Sequence, residues 1–487
     1  MNVLRLLFCV SMLFLLSAPP VRAGLHFGMT GAVKQKARAL DQQVDAQRHP
    51  APVVHNGTLL VQNGETLEIK DCTYIQKGDI VISGNAVLKL TDCTFIHAAD
   101  RHFQYHLLLE DTAQLIATRS RLEANEFFLW WRLLDQSRSV FDQAAFQAKG
   151  IRLWMLDQAQ ATLTNSSQVS LYETGDQTAT APGTAFVRHE LKRTVANVPT
   201  VVSPAWESTI IYLDYPVNTP CPEDAIEISA DGSRLYFLFG TGLTSQMTPL
   251  EMLSRPNGTY VVQRLAAPDQ FGRPAFYDLG QGAASGLSLD GECSFTPDGT
   301  KVYFHSNRPE NLGYNHTPYV EDAQDIYVAD LSNGVPGPGT NLGPTVNSIY
   351  LDGEHSLTPD GQYLYFASTR PGGLGGSDIY LSQTVSGVWS APVSAGNTVN
   401  TASNDLQPCF SSDGNTMYLT TVRGGIPGIY SFDRSGSDWV NPQVVIQGVG
   451  VGEPSLTADG QYLYFVHVYI DDQDSVFEAD VCCLRRK

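Results

Sequence analysis

The chain has 487 residues, of which 43% are hydrophobic and 17% charged, and its 50 Asp and Glu residues outnumber 31 Lys and Arg residues to give a formal net charge of −19. This length exceeds what one hydrophobic core usually serves, so two or more domains are expected. The acidic balance argues against nucleic acid and anionic membrane surfaces as main partners, because both require clustered Lys and Arg. Cations, basic proteins and neutral glycans remain open as ligands.

The first 23 residues have the pattern of a signal peptide. Arg5 precedes an apolar run over residues 6–16, and Val21 and Ala23 occupy the two small-residue positions of a cleavage site. The apolar run is too short for a comfortable transmembrane helix, and no later segment qualifies. We therefore expect an exported protein, periplasmic or secreted, without a transmembrane segment after cleavage. Residues 24–52 are polar and helix-compatible and are interpreted as a leader or helical cap.

The block that follows the leader repeats with a period of a little over twenty residues. A segment around Cys72 recurs 21 residues later around Cys93, and fainter copies begin at Asp111, Asp135 and Asp157. Apolar and polar residues alternate within each copy, which is the period of a half-buried strand. A repeat of this length with short strands is typical of a parallel β-helix, in which each coil stacks on the one before.

The cysteines of this repeat are interpreted as buried core residues. If the coils stack, Cys72, Cys93 and Ser120 superpose and form an inward-facing ladder of small side chains. Seven of the eight cysteines of the chain follow the signal peptide, and an odd, widely dispersed set is not typical of a disulfide framework. One or two disulfides remain open, and the sequence assigns no pairing.

A second and stronger repeat begins after about residue 200. Five segments place Asp-Gly between two alternating apolar runs, which is the strongest short signal for a β-hairpin, because Gly accepts a positive φ without a Cβ clash. The pairs are Asp231-Gly232, Asp298-Gly299, Asp360-Gly361, Asp413-Gly414 and Asp459-Gly460. A turn-rich loop and further strands follow each hairpin. Four strands per unit, repeated around an axis, predict the blades of a β-propeller.

The segments after the hairpins carry a family resemblance. Residues 357–380, with the motif Ser-Thr-Arg-Pro-Gly-Gly-Leu-Gly-Gly-Ser-Asp-Ile-Tyr, and the weaker copy over residues 295–327 are similar to the WD40-like (PD40) repeats of the TolB-type β-propeller family, particularly to the bacterial variety often joined to OmpA-like domains. The linking strands over residues 341–348 and 396–401 match it as well. The resemblance covers about residues 201–480, implies a propeller fold and says little about activity. The first and last units lack the Ser-x-Arg-Pro-Gly element, which leaves a loop-borne function there unsupported.

These patterns together predict an all-β chain, with a short right-handed parallel β-helix over residues 53–198 followed by a β-propeller over residues 199–487. Five hairpins imply five blades, although a degenerate sixth blade could occupy residues 240–291. Because the last unit lacks an outer strand, residues 209–215 are predicted to complete it. This pairing would join the two ends of the propeller and leave no long edge unpaired.

The strongest candidate site is a set of acidic residues near the predicted axis. The position six residues before each Asp-Gly pair should begin the innermost strand of its blade. Glutamates occupy this position in three units, whereas Ala225 and Gln407 occupy it in the other two. With two neighbouring aspartates included, the candidate ligand-binding residues are Asp224, Glu292, Glu354, Asp405 and Glu453.

Such a ring of carboxylates could coordinate a hard cation such as Ca²⁺, which favours oxygen ligands, or attract basic groups on a partner. Two of them at a set separation could also serve as the acid and base of a glycosidase. The structural interpretation, in which they cap turns or pair with loop arginines, is favoured because acidic turn residues are common. The arginines concerned are Arg308, Arg370 and Arg423. Asp325 and Asp378 recur with the blades and are expected to fix loops by hydrogen bonds and ion pairs, together with the first two arginines.

The densest aromatic stretch lies in the N-terminal repeat, over residues 126–134 and at Trp154. Aromatic faces can stack on sugars, but packing between coils is favoured, because aromatic residues are ordinarily buried. His102 and His106 are four residues apart, a spacing that would share one face of a helix. They lie in a strand-rich block, so metal binding by this pair is not expected.

The sequence favours a non-enzymatic, exported binding protein whose propeller presents its axial face to a protein or cell-envelope ligand. The repeat, the leader, the carboxylates and the lack of P-loop, GxGxxG, HExxH and GxSxG motifs support this hypothesis. The alternative is a carbohydrate-active enzyme, a glycoside hydrolase or lyase, that uses carboxylates at the axis. A third possibility is a passive structural module of an envelope assembly. No cofactor is predicted, with Ca²⁺ as the one ion considered, and a glycan remains open as a ligand.

Overall fold

The structure is a computed structural model that describes residues 51–487 outside residues 125–128, 147–150, 168, 174–177, 181–185, 191–197, 240–257, 280–289, 315–323 and 471–475. The predicted signal peptide and nearly all of the predicted leader lie outside the described residues. The chain divides into two compact units, one containing the described residues up to Glu190 and the other those from Val198 onward. Within these ranges the chain is almost entirely strand and contains no α-helix, and no helix long and apolar enough to cross a membrane occurs among them.

The first unit is a solenoid of about five coils, each made of three short strands. Its strands are β1 (Val53–Asn56), β2 (Leu59–Val61), β3 (Thr66–Lys70), β4 (Thr73–Lys77), β5 (Ile80–Ile82), β6 (Val87–Thr91), β7 (Thr94–His97), β8 (Leu107–Leu109), β9 (Gln114–Thr118), β10 (Arg121–Ala124), β11 (Leu129–Leu133), β12 (Arg138–Asp142), β13 (Ala145–Phe146), β14 (Ile151–Met155), β15 (Gln160–Thr164), β16 (Val169–Glu173), β17 (Thr178–Thr180) and β18 (Phe186–Glu190). They form three parallel sheets, in the orders β1-β4-β7-β10-β13, β2-β5-β8-β11-β14-β16-β18 and β3-β6-β9-β12-β15-β17. The predicted parallel β-helix is therefore confirmed, while its handedness stays a prediction.

Alternation and turn chemistry explain why the sequence coils in this way. Leu88 and Leu90 of β6 are buried and stack on Leu115 and Ala117 of β9, whereas the residues between them are only half-buried. The aspartates that begin the fainter sequence copies occupy turns with φ between 53° and 58°, a region that short polar residues tolerate. Each of these aspartates accepts a backbone N–H from the preceding coil through Oδ2, at 2.8–3.2 Å. The repeat thus specifies both the inward face and the turns.

The structure confirms the predicted ladder of small side chains and the core role of the aromatic stretch. Cys72, Cys93 and Ser120 align in successive coils, and the backbone N–H of Cys93 donates to Ser120 Oγ at 3.3 Å. Trp131 is completely buried, and its Nε1–H donates to His97 Nδ1 at 3.3 Å. The other two tryptophans of the stretch are 3% and 8% exposed, which leaves neither as a platform for a sugar.

We expect the native protein to react with a thiol reagent such as DTNB almost only at Cys72. All seven cysteines after Cys9 are free, and six of them are buried, while Cys72 is half-buried. Burial also raises the pKa of the Cys93 thiol, which suppresses its reactive thiolate. The measurement is thiol release before and after denaturation, with Cys72→Ser as the control that removes the native signal. Fast native labelling of Cys72→Ser would contradict this expectation.

The second unit is a five-bladed propeller. Its strands are β19 (Thr200–Val201), β20 (Ile211–Tyr212), β21 (Glu223–Ile228), β22 (Arg234–Phe239), β23 (Gly258–Gln263), β24 (Ala275–Phe276), β25 (Asp290–Phe295), β26 (Lys301–Ser306), β27 (Asp325–Ser332), β28 (Val335–Pro336), β29 (Thr340–Asn341), β30 (Asp352–Leu357), β31 (Tyr363–Ser368), β32 (Asp378–Val385), β33 (Val388–Trp389), β34 (Val393–Ser394), β35 (Asp405–Phe410), β36 (Thr416–Thr421), β37 (Gly428–Ser435), β38 (Asp438–Gln447), β39 (Val451–Leu456), β40 (Tyr462–Ile470) and β41 (Val476–Arg485), with one 3-10 turn at Arg423–Gly425. Blades 1 to 5 begin with the innermost strands β21, β25, β30, β35 and β39. Each innermost strand contacts those of both neighbouring blades, and β39 contacts β21, so the ring is closed.

The two ends of the propeller are joined as predicted. β20 pairs antiparallel with β41 and supplies the outer strand of blade 5, and β19 pairs with β38 in blade 4. The described part of residues 240–291 supplies β23 and β24 of blade 1, where a sixth blade had been considered. The closed ring leaves the innermost strands, and whatever side chains they carry, around one axis.

The Asp-Gly pairs form the hairpins between the first and second strands of every blade. Each Gly has φ between 66° and 69°. The Oδ1 atom of each Asp accepts a Ser or Thr hydroxyl at 2.6–2.7 Å and a backbone N–H at 2.9–3.0 Å. In blade 1 the hydrogen bond from Ser229 lowers the pKa of Asp231 to about 2. The five aspartates therefore stabilise the turns of the fold.

Loop residues that recur with the blades also have structural partners, as expected. Asp325 accepts the backbone N–H of Leu312 at 3.0 Å, and Asp378 accepts those of Leu374 and Gly375 at 2.9 and 3.0 Å. These bonds tie the loop before the third strand to the start of that strand in blades 2 and 3. They fix the loop conformation, which indicates a structural role for both aspartates rather than a role in binding a ligand.

Candidate functional site

Each innermost strand contains a β-bulge at the position that the sequence marks as axial. The bulged residues have φ between 49° and 57°, in the left-handed region. They are Ala225, Glu292, Glu354, Gln407 and Glu453. This conformation costs a non-glycine residue roughly 1–2 kcal/mol. Because the conformation recurs in all five blades, the fold depends on the bulge.

The bulged side chains connect neighbouring blades. Glu292 Oε2 accepts the backbone N–H of His355 from blade 3 at 2.9 Å. Gln407 Oε1 accepts the backbone N–H of Glu453 at 2.8 Å, and the Gln407 amide donates to Glu453 Oε1 at 3.3 Å. Glu453 Oε2 in turn accepts the backbone N–H of Ile226 from blade 1 at 3.4 Å. The axial side chains therefore form part of the seam between blades.

Four of the five candidate carboxyls interact with one another near the axis: Asp224, Glu292, Glu354 and Glu453. Burial, together with the neighbouring carboxyl of Glu292, raises the pKa of Glu354 to about 8. Burial also raises the pKa of Glu292 and Glu453 well above its ordinary value. At neutral pH this environment favours protonated carboxyls over a ring of open carboxylates.

The fifth candidate, Asp405, faces its own blade. Its Oδ2 accepts the backbone N–H of Thr401 at 2.6 Å, and its Oδ1 accepts the hydroxyl of Thr421 at 2.6 Å. Asp405 lies two residues before the bulge, as the buried Asp290 and Asp352 do in blades 2 and 3. These bonds hold the turn that leads into the innermost strand. Asp405 therefore has a structural role in its own blade and does not belong to the axial group of carboxyls.

The loop arginines pair at this outer position. Arg308 Nη2 lies 3.3 Å from Asp290 Oδ2, and Arg370 Nη2 lies 2.5 Å from Asp352 Oδ1. Arg423 donates instead to two backbone carbonyls, at 2.7 and 2.9 Å. The arginine partners expected from the sequence are therefore present, but on aspartates two residues before the axial glutamates. Among the described residues, no ion pair joins an axial glutamate to an arginine.

A cavity of about 720 Å³ opens at the hairpin end of the axis, and residues from all five blades line it. Its walls combine aromatic rings, including Tyr236, Tyr277, Phe295 and Phe410, with hydroxyl groups of the hairpin turns. The volume lies within the range of small-ligand sites, and a concave, mostly apolar wall with a few polar groups is typical of them. The arrangement can therefore hold a small molecule or a protruding group of a larger ligand.

Glu227 is a cavity residue that the sequence reasoning missed. The first lining position along each innermost strand, two residues after the bulge, holds Ser294, Ser356, Cys409 and Ser455 in four blades and Glu227 in blade 1. The hydroxyl of Ser455 donates to Glu227 Oε2 at 2.7 Å, and burial raises the pKa of Glu227 to about 8. Aligning the five repeats could have found it, because a single carboxyl replaces a small side chain at an otherwise uniform position.

Two histidines next to Glu292 were also missed. His305 Nδ1 lies 3.2 Å from Glu292 Oε2, and His355 Nδ1 lies 3.9 Å from the same oxygen. One ligand atom from each of the three residues lies within 4.8 Å of the others, which makes this the group among the described residues that could hold a metal ion. His102 and His106, in contrast, belong to no such group in the described part of the chain.

No protein-family model matches the chain, and no curated protein sequence matches it either. Among solved structures, TolB from Acinetobacter baumannii is 15% identical, covers 60% of this chain and 63% of its own length, and has a TM-score of 0.31. An α-L-arabinofuranosidase from Lactobacillus brevis is 14% identical over 55% of this chain and 92% of its own, with a TM-score of 0.35. A family 117 glycoside hydrolase from Zobellia galactanivorans is 8% identical over 57% and 89%, with a TM-score of 0.37. The propeller assignment therefore stands on the strand pairing described above, and membership of the TolB-type family stays a prediction.

Proposed function

We propose that this chain is an exported, non-enzymatic binding protein whose propeller takes a protruding group of a protein or cell-envelope ligand into the axial cavity. The observation that carries the proposal is the cavity of about 720 Å³ that all five blades build at the hairpin end. Function in a propeller is argued from the site rather than from the fold. Within this cavity one position differs in chemistry between the blades, because Glu227 stands where the other blades have Ser or Cys.

The chemistry of the lining supports a ligand that is both apolar and able to donate a hydrogen bond. The aromatic wall offers contact area, and Glu227 offers one acceptor next to the Ser455 hydroxyl. Since Glu227 is half-buried and its pKa is raised to about 8, it is mostly protonated at neutral pH in the empty cavity. A cationic or donor group of a ligand would favour its ionised form instead.

The alternative of a carbohydrate-active enzyme finds less support in the same cavity. A glycosidase requires two carboxyls that flank the bond to be cleaved. Asp231 is the other acidic residue of the lining, and its Oδ1 is bound by Ser229 and Ser233 in the same way as in the other four hairpins. The axial glutamates expected to act as a pair do not line this cavity.

The proposal is tested by filling the cavity. We expect Ser356→Phe, which projects a ring into the lining, to lose the envelope component that the wild-type chain enriches in a quantitative pull-down. Ser437→Phe, on an exposed turn of blade 4, is the matched control and should retain it. If no component distinguishes the two variants, the cavity is not the binding site and the proposal fails.

The same proteins separate binding from catalysis. We expect no turnover of a panel of nitrophenyl glycosides by the wild-type chain. Turnover that disappears in Glu227→Gln but persists in Glu310→Gln, an exposed control in blade 2, would replace the binding proposal by the enzymatic one.

Export is part of the proposal, and it predicts a mature N-terminus at Gly24 in the secreted or periplasmic fraction.

A further inference from the structure

The two histidines beside Glu292 break the fivefold repeat of the propeller. The position after each bulge holds His355 in blade 3 but Ile226, Cys293, Pro408 and Pro454 elsewhere. In each blade, one residue of the second strand pairs with the last residue before the bulge. This residue is His305 in blade 2, whereas the other blades have Leu238, Ala367, Thr420 and Val466. A side chain required by the fold recurs in every blade, so this pair at one seam calls for another explanation.

The three side chains converge from two neighbouring blades in a closed environment. The side chains of His305, His355 and Glu292 are 4%, 0% and 11% exposed. Ligands of a four-coordinate Zn²⁺ ion at about 2.0 Å from the metal lie about 3.3 Å apart. The 3.2 Å between His305 Nδ1 and Glu292 Oε2 matches this spacing, and the 3.9 Å from His355 Nδ1 needs a shift of only about half an ångström.

Buried polar groups without hydrogen-bond partners lie at the same place. Neither ring nitrogen of His355 makes a hydrogen bond of normal geometry, and the side-chain amide of Gln324 makes none through either atom. Both side chains are almost completely buried, where an unsatisfied polar group ordinarily costs about 1–3 kcal/mol. Both Gln324 Oε1 and His305 Nδ1 lie close to Gly353. A β-carbon added to this glycine would lie 2.6 Å from the first atom and 3.5 Å from the second. The unsatisfied groups are therefore one histidine of the pair and a glutamine close to the other.

We propose that Glu292, His305 and His355 bind one divalent transition-metal ion of the Zn²⁺ type at the seam between blades 2 and 3. Two imidazoles and one carboxylate are a donor set that suits Zn²⁺, whereas Ca²⁺ prefers six or more oxygen ligands. Gln324 or a water molecule completes the coordination. The carboxyls of Glu354 and Asp224 interact electrostatically with His305.

The site is distinct from the ligand cavity. Its residues do not line the cavity. The nearest lining residues, Ser294 and Ser356, follow Glu292 and His355 on the same strands, toward the hairpins. A metal ion here would pin blade 2 to blade 3 and replace the hydrogen bond between His305 and Glu292. Its role is therefore structural, and metal binding can be measured without any knowledge of the organic ligand.

The test uses the full chain after removal of metals with a chelator. We expect isothermal titration with ZnSO₄ and elemental analysis to give one Zn²⁺ per chain. We also expect Co²⁺ to produce the visible absorption of a low-coordinate site with nitrogen ligands. Glu292→Gln and His355→Ala should each weaken Zn²⁺ binding by about 100-fold or more. Glu453→Gln removes a carboxyl of the same axial group outside the donor set, and it should bind Zn²⁺ as the wild type does.

Several results would overturn the proposal. They are no Zn²⁺ bound by the wild type, equal binding by Glu292→Gln or His355→Ala and the wild type, or a preference for Ca²⁺ over Zn²⁺. If His355→Ala fails to fold, as judged by circular dichroism, Glu292→Gln together with the Co²⁺ spectrum of the wild type still decides the question. Failure of the cavity experiment would leave this result unaffected, because the probe is the metal alone.

Discussion

Asn218→Ala is expected to lower the free energy of unfolding of the propeller by about 1–3 kcal/mol. The side-chain amide of Asn218 donates to the carbonyl of Val481 at 3.0 Å and accepts its backbone N–H at 2.8 Å. Both contacts are buried, and alanine leaves the backbone N–H of Val481 without a partner, at about 1–3 kcal/mol. The carbonyl of Val481 keeps a second donor, the backbone N–H of Leu213 at 3.1 Å. Val481 lies 263 residues from Asn218 along the chain. The bonds therefore hold the start of blade 1 against the last strand of blade 5.

The matched control is Asn347→Ala. Asn347 makes the same pair of bonds to Ile326, at 3.0 Å each, but across 21 residues of chain between neighbouring blades. Its amide also donates to Asn341 Oδ1 at 2.8 Å. Urea denaturation followed by tryptophan fluorescence measures both variants. We expect the Asn218 variant to lose at least as much stability as the control, because it also loosens the closure of the ring. A loss below about 0.5 kcal/mol would show that β20 closes the ring without help from this amide.

Glu227→Gln is expected to remove part of the loss of stability that the wild type shows at alkaline pH. The pKa of Glu227 is raised by burial from its ordinary value of 4.5 to about 8 in the folded protein. A group whose pKa is raised on folding contributes stability that is complete below the unfolded value and is lost as pH rises through the folded value. The window for this residue therefore runs from about pH 4.5 to above pH 8.

Each pKa unit corresponds to about 1.4 kcal/mol, and because Glu227 is half-buried we expect a difference of about 2–4 kcal/mol between pH 5 and pH 9. Urea denaturation of the wild type and Glu227→Gln at both pH values gives this difference. Glu310→Gln, at an exposed position of the same propeller, should follow the wild type. Parallel pH profiles for the wild type and Glu227→Gln would show that water reaches this carboxyl freely.

Local patterns were sufficient for the architecture. Residue alternation predicted the strands of both units, and Asp-Gly turns predicted the five hairpins, because a turn is decided by the backbone freedom of a few consecutive residues. The closure by residues 209–215 followed from a missing strand, since an unpaired edge is unfavourable. The structure confirms each of these predictions and shows one propeller of five blades.

The site was predicted less completely. Asp224, Glu292, Glu354 and Glu453 do meet near the axis, but buried and linked to one another, whereas Asp405 belongs to a turn of its own blade. Spacing along the chain could place these residues at the start of a strand. It could not show which of them the bulge turns toward the next blade, because that depends on backbone angles that leave no sequence pattern for Glu or Gln.

The acidic composition argues against nucleic acid as a partner. The sequence alone determined the two repeats, the turns and the closed ring. Only the tertiary structure decided which side chains share a site. Glu227 and Ser455 are separated by 228 residues, and Glu292 and His355 by 63. Such contacts are set by how neighbouring blades pack around the axis, and so are the burial and the pKa of each carboxyl. The charge counted along the chain therefore overstates what the axis carries at neutral pH, where the buried carboxyls favour their protonated form.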